Sequence, residues 1–410
     1  VILAVIAALG EIMTSKVMKE AQEASIAAQK REDAAFRQHE LVKSMGIFRE
    51  VVDDWSREQS KHLTNVLVSS SRTNAFASAS RAVRQIIQIA IIGTGAYLVL
   101  LDHVTPGIIF AASMIGSRAL APIEMLISGW RSVNMLRMNF KLLDKRMASL
   151  NIADENTPLP RPKGRLAAEG VAFAWPTTVP GQPPLTVLKG ISAVIAEGTI
   201  TGIIGPSGAG KSTFAKCLVG YLTPQRGRVT LDGQDLQAWH PSARGLYVGY
   251  LPQNLEFFEG TVRENISRMR HQDDPEFAVD AARFAGVHEA IMRFPSGYDT
   301  MLSADGFQPS SGQRQLIALA RAFYGNPALV ILDEPNAHLD GDGERMLQHC
   351  LRAAKAAGIT VLIVTQRMSI MRFVDMVMIL KNGVVESYGP PSQVLQSNNV
   401  RAFPQGKVGA

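Results

Sequence analysis

The sequence is poor in cysteine, in aromatic residues and in unbalanced charge. Its only cysteines, Cys217 and Cys350, are spaced for neither a metal site nor a disulfide framework, which favours a reducing compartment. The formal net charge is +6 over 410 residues, and no basic patch is interleaved with aromatic residues, so nucleic-acid binding is not expected. Low-complexity tracts are also absent, which leaves a folded chain long enough for two or three domains.

Apolar runs concentrate in the first 150 residues. Residues 1–9 (VILAVIAAL) lack the basic flank of a signal peptide, which favours the end of a membrane helix that starts earlier. Further apolar runs cover residues 86–101 and 106–127, and a bilayer core needs about 20 apolar residues in a helix. We therefore expect a partial α-helical transmembrane domain over residues 1–150, with membrane helices near residues 1–13, 83–101 and 106–129. The alternative is a pair of buried helices in a soluble domain.

Between the first two runs, residues 11–81 are polar, rich in helix formers and free of proline. They predict two long helices that leave the membrane and return, turning near Gly46. Residues 41–55 carry apolar side chains at helical spacing. This stripe is either a coiled-coil seam packed on itself or a coupling element that touches another domain.

Residues 151–164 (NIADENTPLPRPKG) are rich in proline and polar residues, which predicts an interdomain linker. After it, short β-branched strands alternate with helical stretches, and this pattern indicates a largely parallel sheet flanked by helices. The expected α/β domain covers residues 165–396, followed by a tail over residues 397–410. The predicted strands are Ile200–Ile204, 229–232, 329–332, Thr360–Val364 and 376–380.

Residues 205–212 (GPSGAGKS) match the phosphate-loop pattern G-x-x-x-x-G-K-[ST] between a strand and a helix. Glycines let backbone N–H groups wrap phosphates, and the helix N-terminus adds a favourable dipole. Lys211 is expected to reach the β- and γ-phosphates, and Ser212 to bind Mg²⁺. The predicted contacts to ATP in this stretch are Gly205, Pro206, Ser207, Gly208, Ala209, Gly210, Lys211, Ser212 and Thr213.

An apolar strand ends in two carboxylates, Asp333 and Glu334. The C-terminal edge of such a strand is where α/β sheets bind ligands. Asp333 is expected to hold Mg²⁺ through water, and Glu334 to orient or deprotonate the attacking water. A solvated acidic turn is the alternative. Together with the phosphate loop, the pair predicts a P-loop NTPase domain with ATP and Mg²⁺ as its ligands.

Residues 309–315 (PSSGQRQ) resemble the LSGGQ signature of ATP-binding-cassette (ABC) proteins. In that family the signature of one subunit caps the nucleotide of the other, which implies a dimer and contacts from Ser310, Gly312 and Gln313. The resemblance adds an ABC helical subdomain and a D-loop at residues 337–340 (AHLD). It also implies that Gln253 acts at Mg²⁺ and that Trp175 stacks on adenine. Ordinary core packing is the alternative for Trp175.

Six stretches resemble the permease/ATPases of type I secretion systems, namely residues 76–81, 95–98, 105–107, 111–113, 118–124 and 333–336. This resemblance implies a multi-pass protein of the bacterial inner membrane with its ATPase domain in the cytoplasm. It also implies a protein substrate, a periplasmic adaptor and an outer-membrane channel as partners. The chain would then cover the last three of six membrane helices.

Three features depart from the family pattern. The expected switch histidine is Gln366, the signature has Pro309 and Ser311 in place of Leu and Gly, and residues 303–306 replace a glycine-richer stretch. A glutamine donates a hydrogen bond but carries no positive charge. With Lys211, Glu334 and Gln366 as catalytic residues, we therefore expect slow hydrolysis.

Several alternatives stay open. The second subunit is either another copy of this chain or a more competent relative. The cargo of an ABC exporter can also be a lipid, a peptide or another small molecule. A soluble ABC ATPase, and a clamp that binds ATP without hydrolysing it, are the remaining interpretations.

Overall fold

The computed structural model describes residues 2–149, 160–177, 182–303 and 306–397. Side chains are described from residue 20 onward, except at positions 117, 119–128, 130, 131 and scattered others in the helices. The chain divides into two units, residues 1–151 and 152–410. Most of the predicted linker and nearly all of the predicted tail lie outside the described residues. The predicted domain boundaries therefore stay predictions.

The described residues of the first unit form four helices. Their bounds are α1 Ile2–Arg37, α2 His39–Met45, α3 Phe48–Leu100 and α4 Gly107–Ser149. The chain reverses direction between α2 and α3 at Gly46, whose φ of 67° lies in the left-handed region. A glycine adopts this conformation without the steric cost that a side chain adds, so it ends the helix here.

Helices α1 and α3 pack side by side through small and polar side chains. Ala21 and Ala28, seven residues apart on α1, are both buried. The ring nitrogen Nδ1 of His62 on α3 lies 2.9 Å from the carbonyl oxygen of Ala21. The guanidinium of Arg31 contacts the carboxylate of Glu58 at 3.5 Å. The exposed surroundings of this ion pair make its contribution to stability small.

Helices α3 and α4 approach closely at glycines. A Cβ atom at Gly95 would lie 3.1 Å from the side chain of Ile109, and one at Gly116 would lie 3.0 Å from Ile91. Small residues of this kind let membrane helices pack closely. The amide of Gln88 on α3 also donates a hydrogen bond of 3.0 Å to the hydroxyl of Ser113 on α4. Their polar groups therefore satisfy one another within an apolar pair of helices.

Among the described residues, one helical segment, Arg81–Leu100, is long and apolar enough to cross a bilayer. It coincides with the predicted span near residues 83–101. Gly107–Gly116 is a shorter apolar helix inside the predicted span 106–129, where most of the following side chains are not described. The side chains of the predicted span 1–13 lie outside the described set, so these two spans stay predictions.

The apolar stripe at residues 41–55 is largely exposed. Leu41, Met45, Phe48 and Val52 have 47%, 63%, 69% and 38% of their surface accessible. These four side chains are therefore not buried in a self-packed seam. The coupling role of the stripe stays a prediction.

The second unit contains a six-stranded sheet and a four-stranded antiparallel sheet. The larger sheet has the order β12-β11-β3-β10-β9-β6, in which all strands but β12 are parallel, and the smaller has the order β2-β1-β4-β5. The strands are β1 Leu166–Trp175, β2 Leu185–Ile195, β3 Ile200–Ile204, β4 Arg226–Leu231, β5 Gln234–Asp235, β6 Val248–Leu251, β7 Gly260–Thr261, β8 Met301–Leu302, β9 Leu329–Asp333, β10 Thr360–Val364, β11 Met376–Lys381 and β12 Val384–Gly389.

The predicted strand at residues 229–232 is present as β4 but lies in the antiparallel sheet, paired with β1. The expectation of a largely parallel sheet therefore holds for the larger sheet alone. In the smaller sheet β1 pairs antiparallel with both β2 and β4.

The larger sheet lies between two apolar layers. Alternate residues of a strand point to opposite faces, and on β9 Val330 and Leu332 join one core cluster while Leu329 and Ile331 join the other. One face packs against α5 and the antiparallel sheet, and the other packs against α7–α11. The helices of this unit are α5 Lys211–Leu218, α6 Pro241–Tyr247, α7 Val262–Ile266, α8 Glu276–Phe284, α9 His288–Met292, α10 Ser311–Phe323, α11 Gly341–Ala356 and α12 Pro391–Ser397.

The C-terminal end of α10 is held by two arginines. Arg268 donates hydrogen bonds to the carbonyl oxygens of Arg321 at 3.0 Å and Ala322 at 3.1 Å, and also to that of Gly245. Arg321 donates to the carbonyl oxygen of Glu256 at 3.0 Å, and its guanidinium lies 5.0 Å from the centre of the Phe257 ring. These contacts tie the end of α10 to the loop that follows β6.

We predict that Arg268→Met lowers the free energy of unfolding of the second unit by about 2 kcal/mol, because the substitution leaves three carbonyl oxygens without their donor. Urea unfolding followed by tryptophan fluorescence measures the change. Arg345→Met is the matched control, since Arg345 is exposed on α11 and its one ion pair among the described residues is with Asp342. Equal midpoints for the two variants would contradict the prediction.

Candidate functional site

The loop between β3 and α5 is shaped by its glycines. Gly205 follows β3 directly, and a Cβ atom there would lie 2.0 Å from the carbonyl oxygen of Leu380, so no other residue fits without a backbone shift. Gly210, at φ 95°, precedes the first residue of α5. Ser207 and Gly208 are exposed at the tip of the loop. The backbone thus forms an open cradle at the N-terminus of a helix, a geometry suited to phosphate.

Lys211 is buried inside this cradle. Its ammonium donates hydrogen bonds of 2.9 Å to the carbonyl oxygens of both Gly205 and Pro206. Burial lowers the pKa of Lys211, while the nearby charges of Glu334 and Asp333 oppose that shift. A cation held inside a loop of this shape is positioned to bind a phosphate that enters the loop.

The side chains of Ser212 and Asp333 are in contact at the edge of the sheet where β9 ends. The hydroxyl of Ser212 at the start of α5 donates a hydrogen bond of 3.1 Å to Oδ1 of Asp333 at the end of β9. Asp333 is fully buried, and its second oxygen, Oδ2, has no hydrogen-bond partner among the described residues. Burial raises the pKa of Asp333, and the Ser212 hydroxyl opposes the shift.

A buried carboxylate oxygen without a partner is costly unless a ligand satisfies it. Magnesium suits this position, because it is commonly held by one or two carboxylates together with substrate phosphates. The described residues include no group of three His, Cys, Asp or Glu side chains that could hold a metal ion by itself. Ser212 and Asp333 provide oxygen donors of the kind that Mg²⁺ prefers.

The carboxylate of Glu334 is held by two amides. Gln366 donates to its Oε1 and Gln253 to its Oε2, each at 3.2 Å. The backbone of Glu334 has φ 53°, and its N–H donates to the carbonyl oxygen of Val364 at 2.8 Å. The predicted catalytic and Mg²⁺-associated residues Gln253, Asp333, Glu334 and Gln366 therefore gather at one edge of the sheet.

The signature residues begin a helix. Ser310 precedes α10, and its hydroxyl accepts from the N–H of Gln313 at 3.3 Å while the Gln313 side chain accepts from the N–H of Ser310 at 2.9 Å. A Cβ atom at Gly312 would lie 3.1 Å from the carbonyl oxygen of His338, so the signature lies against the predicted D-loop. Ser311, the departure from the family pattern, is exposed. Within the described part of this chain, no hydrogen bond joins the signature to the phosphate loop.

Trp175 lies at the end of β1 with 39% of its surface exposed. Its ring meets that of Phe173 edge to face, with centroids 5.1 Å apart. One side is thus supported by the core while part of the indole stays accessible. Core packing alone does not account for that exposure, and stacking on adenine stays a prediction.

Two polar contacts of the site were not foreseen from the sequence. The hydroxyl of Thr365 donates a hydrogen bond of 3.0 Å to the buried side chain of Asn336. The amide of Gln315 lies 3.4 Å from the carbonyl oxygen of Glu334. Both contacts fix the segment that follows β9. The sequence offered one signal for these contacts, because Asn336 lies just after the acidic pair and Gln315 lies just after the signature.

The fold and these contacts define a P-loop nucleotide-binding domain. Residues 188–337, within the second unit, match the ABC transporter family model. The chain is 37% identical to the type I secretion system ATP-binding protein PrsD of Rhizobium meliloti (strain 1021), over 88% of this chain and 61% of that protein. This similarity confirms the resemblance to type I secretion proteins that the sequence indicated.

Other relatives give the same assignment. The leukotoxin translocation ATP-binding proteins LktB of Pasteurella haemolytica-like sp. (strain 5943B) and Mannheimia glucosida are each 28% identical over 88% of this chain and 50% of theirs. A solved bacterial Atm1-family ABC exporter with ATP bound matches 96% of this chain and 68% of its own, with a TM-score of 0.82 at 22% identity. This last likeness confirms the predicted fold class. The chain spans 61% and 50% of the lengths of the curated relatives PrsD and LktB.

We predict that Asp333→Asn abolishes the strengthening of ATP binding by Mg²⁺, because the amide removes the negative charge from the unpartnered oxygen. ATP binding should be measured with Mg²⁺ and with EDTA. The unaltered protein should bind about tenfold or more tightly with Mg²⁺, a ratio that corresponds to one charge-assisted contact. Asp342→Asn, an exposed carboxylate on α11, is the control and should keep that ratio. An unchanged Mg²⁺ effect in Asp333→Asn would contradict the assignment.

Proposed function

We propose that this chain is the ATP-binding and permease subunit of a type I protein secretion exporter, which couples ATP binding and hydrolysis to the export of a protein substrate. The observation that supports this most is the extent of the similarity to PrsD, which covers 88% of the chain and so includes helices of the first unit. A cassette alone says little about cargo, because the phosphate loop and acidic pair are common to ABC proteins of many functions.

The residues of the site divide the work of hydrolysis. The loop 205–210 and Lys211 bind the phosphates, Trp175 stacks on the base, and Ser212, Asp333 and Gln253 hold Mg²⁺, which neutralises charge on the phosphates when bound. Glu334 orients the attacking water and accepts its proton. Ser310, Gly312 and Gln313 serve the nucleotide of a second subunit, since no hydrogen bond in the described residues joins them to their own phosphate loop.

The proposed setting is the one that the resemblance to type I secretion systems implies. The chain would function as a dimer, with a second copy or a related subunit, in the bacterial inner membrane with the ATPase domain in the cytoplasm. A periplasmic adaptor and an outer-membrane channel would complete the export path. The candidate span Arg81–Leu100 supports a membrane location.

A second candidate function is a clamp that binds ATP and dimerises without turnover. Gln366 favours it, because an uncharged amide stands where the family has a histidine. Glu334 argues against it, since its carboxylate is present and points between two donors. ATP turnover by the full-length protein in lipid, measured beside ATP-dependent dimerisation, separates the two.

We predict that Gln366→His together with Ser311→Gly raises ATP turnover by about tenfold to a hundredfold, the range that one transition-state donor commonly contributes. The measurement is steady-state phosphate release by the full-length protein in lipid vesicles. Ser242→Gly, at an exposed serine on α6, is a control for the glycine substitution. Turnover that the double substitution leaves unchanged would show that the departures from the family pattern do not slow hydrolysis.

A further inference from the structure

Trp175 lies where the pairing of β1 with its neighbouring strands becomes irregular. On one side β1 pairs with β2 as far as Trp175, which is opposite Leu185, but the register of this pairing shifts just before Ala174. On the other side the pairing with β4 begins at Arg226, which is opposite Ala172. The ladder with β4 therefore stops two residues short of Ala174.

The side chain of Gln225 continues the pairing that β4 leaves off. Gln225 directly precedes β4, and its backbone N–H donates a hydrogen bond of 3.0 Å to the carbonyl oxygen of Ala172. Its side-chain Oε1 accepts from the backbone N–H of Ala174 at 2.6 Å, and its Nε2 donates to the carbonyl oxygen of Ala174 at 2.7 Å. An amide side chain offers one acceptor end and one donor end. It therefore pairs with both backbone groups of Ala174, as a neighbouring strand would.

These two hydrogen bonds fix the backbone from which the indole of Trp175 extends. Phe173 supports the indole edge to face, with ring centroids 5.1 Å apart, and 39% of the surface of Trp175 stays exposed. A side chain that must be ordered when a ligand binds reduces the affinity, because the lost freedom costs free energy. By holding Ala174, the amide of Gln225 lowers that cost for a ligand that stacks on the indole.

Gln225 also ends the segment that connects the two parts of the predicted nucleotide site. Helix α5 begins at Lys211 in the phosphate loop and ends at Leu218, and the chain then runs through residues 219–225 to β4. One short stretch of chain therefore starts at the phosphate loop and finishes at the contact with Ala174. Gln225 is exposed, so its replacement removes these hydrogen bonds without opening a cavity in the core.

We propose that Gln225 is a positioning residue for adenine, which holds the backbone of Ala174 and thereby sets the orientation of the Trp175 indole. The inference rests on the proposed stacking of Trp175 on the base and adds the residue that prepares this contact. The contribution of Gln225 should then appear only for ligands that carry a base, and only while Trp175 is present. A purely structural role would instead weaken the binding of all ligands alike.

A double-mutant cycle in the full-length protein tests this proposal. Gln225→Met keeps the length of the side chain but removes both hydrogen bonds, and Trp175→Ala removes the stacking surface. Binding of ATP and of inorganic tripolyphosphate, each with Mg²⁺, is measured by isothermal titration calorimetry. The unaltered protein, the two single variants and the double variant are compared. Gln234→Met, at an exposed glutamine on β5 of the same sheet, is the matched control.

Gln225→Met should weaken ATP binding by about fivefold, as the loss of a hydrogen bond does, and keep tripolyphosphate affinity within about twofold of the unaltered protein. The second result excludes a loss of folding. Trp175→Ala should weaken ATP binding by about tenfold, because a base stacked on an aromatic ring contributes at this level. Adding Gln225→Met to Trp175→Ala should change ATP affinity by less than about twofold, because coupled residues are not additive. Gln234→Met should change neither affinity.

Three results would overturn the proposal alone. Equal weakening of ATP and tripolyphosphate binding in Gln225→Met would give this residue a structural role. The same loss of ATP affinity with and without Trp175 would make its effect independent of the indole. Unchanged ATP affinity in Gln225→Met, beside a loss in Trp175→Ala, would show that the indole needs no such support.

Failure of the underlying assignment looks different. If Trp175→Ala leaves ATP affinity unchanged, the stacking on adenine is wrong and the positioning role of Gln225 is overturned with it. If the unaltered protein binds neither ATP nor tripolyphosphate, the proposed function itself is wrong.

Discussion

The hydrogen bond between Ser212 and Asp333 is the contact on which the site depends. It joins the start of α5 to the end of β9, two segments 121 residues apart in sequence. It exists because parallel strands deliver their C-terminal ends to one edge of the sheet, where the phosphate loop also opens. Among the described residues, the hydroxyl and the carboxylate leave one buried oxygen without a partner. A divalent cation bound with a phosphate would satisfy that oxygen, so nucleotide binding would also complete this edge.

The same edge explains how a departure from the family pattern is accommodated. A histidine in position 366 could carry a positive charge next to Glu334, whereas the amide cannot. Gln253 offers a second amide to the same carboxylate, from the other side and at the same distance. Neither amide neutralises the carboxylate, and its charge faces Lys211 inside the neighbouring loop. The site therefore keeps its charges close to the space where phosphate enters.

Sequence patterns predicted the central strands well and the outer sheet poorly. Ile200–Ile204 and Thr360–Val364 were predicted with the bounds that the structure has, because each is a short, fully buried and β-rich run. β1 and β2 gave no such signal, since register shifts and Gly170 and Gly190 interrupt their alternation. Motif spacing predicted the site residues, but the contacts of Gln253 and Gln366 with Glu334 depend on β9 lying between β6 and β10. That order arises from tertiary packing, and no local pattern encodes it.

Helix α10 has a mechanical property that follows from what is attached to its two ends. Its 13 residues make a rod of about 20 Å. The signature lies at one end, and near the other end Arg321 contacts Glu256 and Phe257, which are three and four residues beyond Gln253. Because α10 is attached in this way, its signature end cannot move without also displacing the loop after β6, which carries Gln253. A displacement of the signature would thus be transmitted along α10 to the segment that carries Gln253.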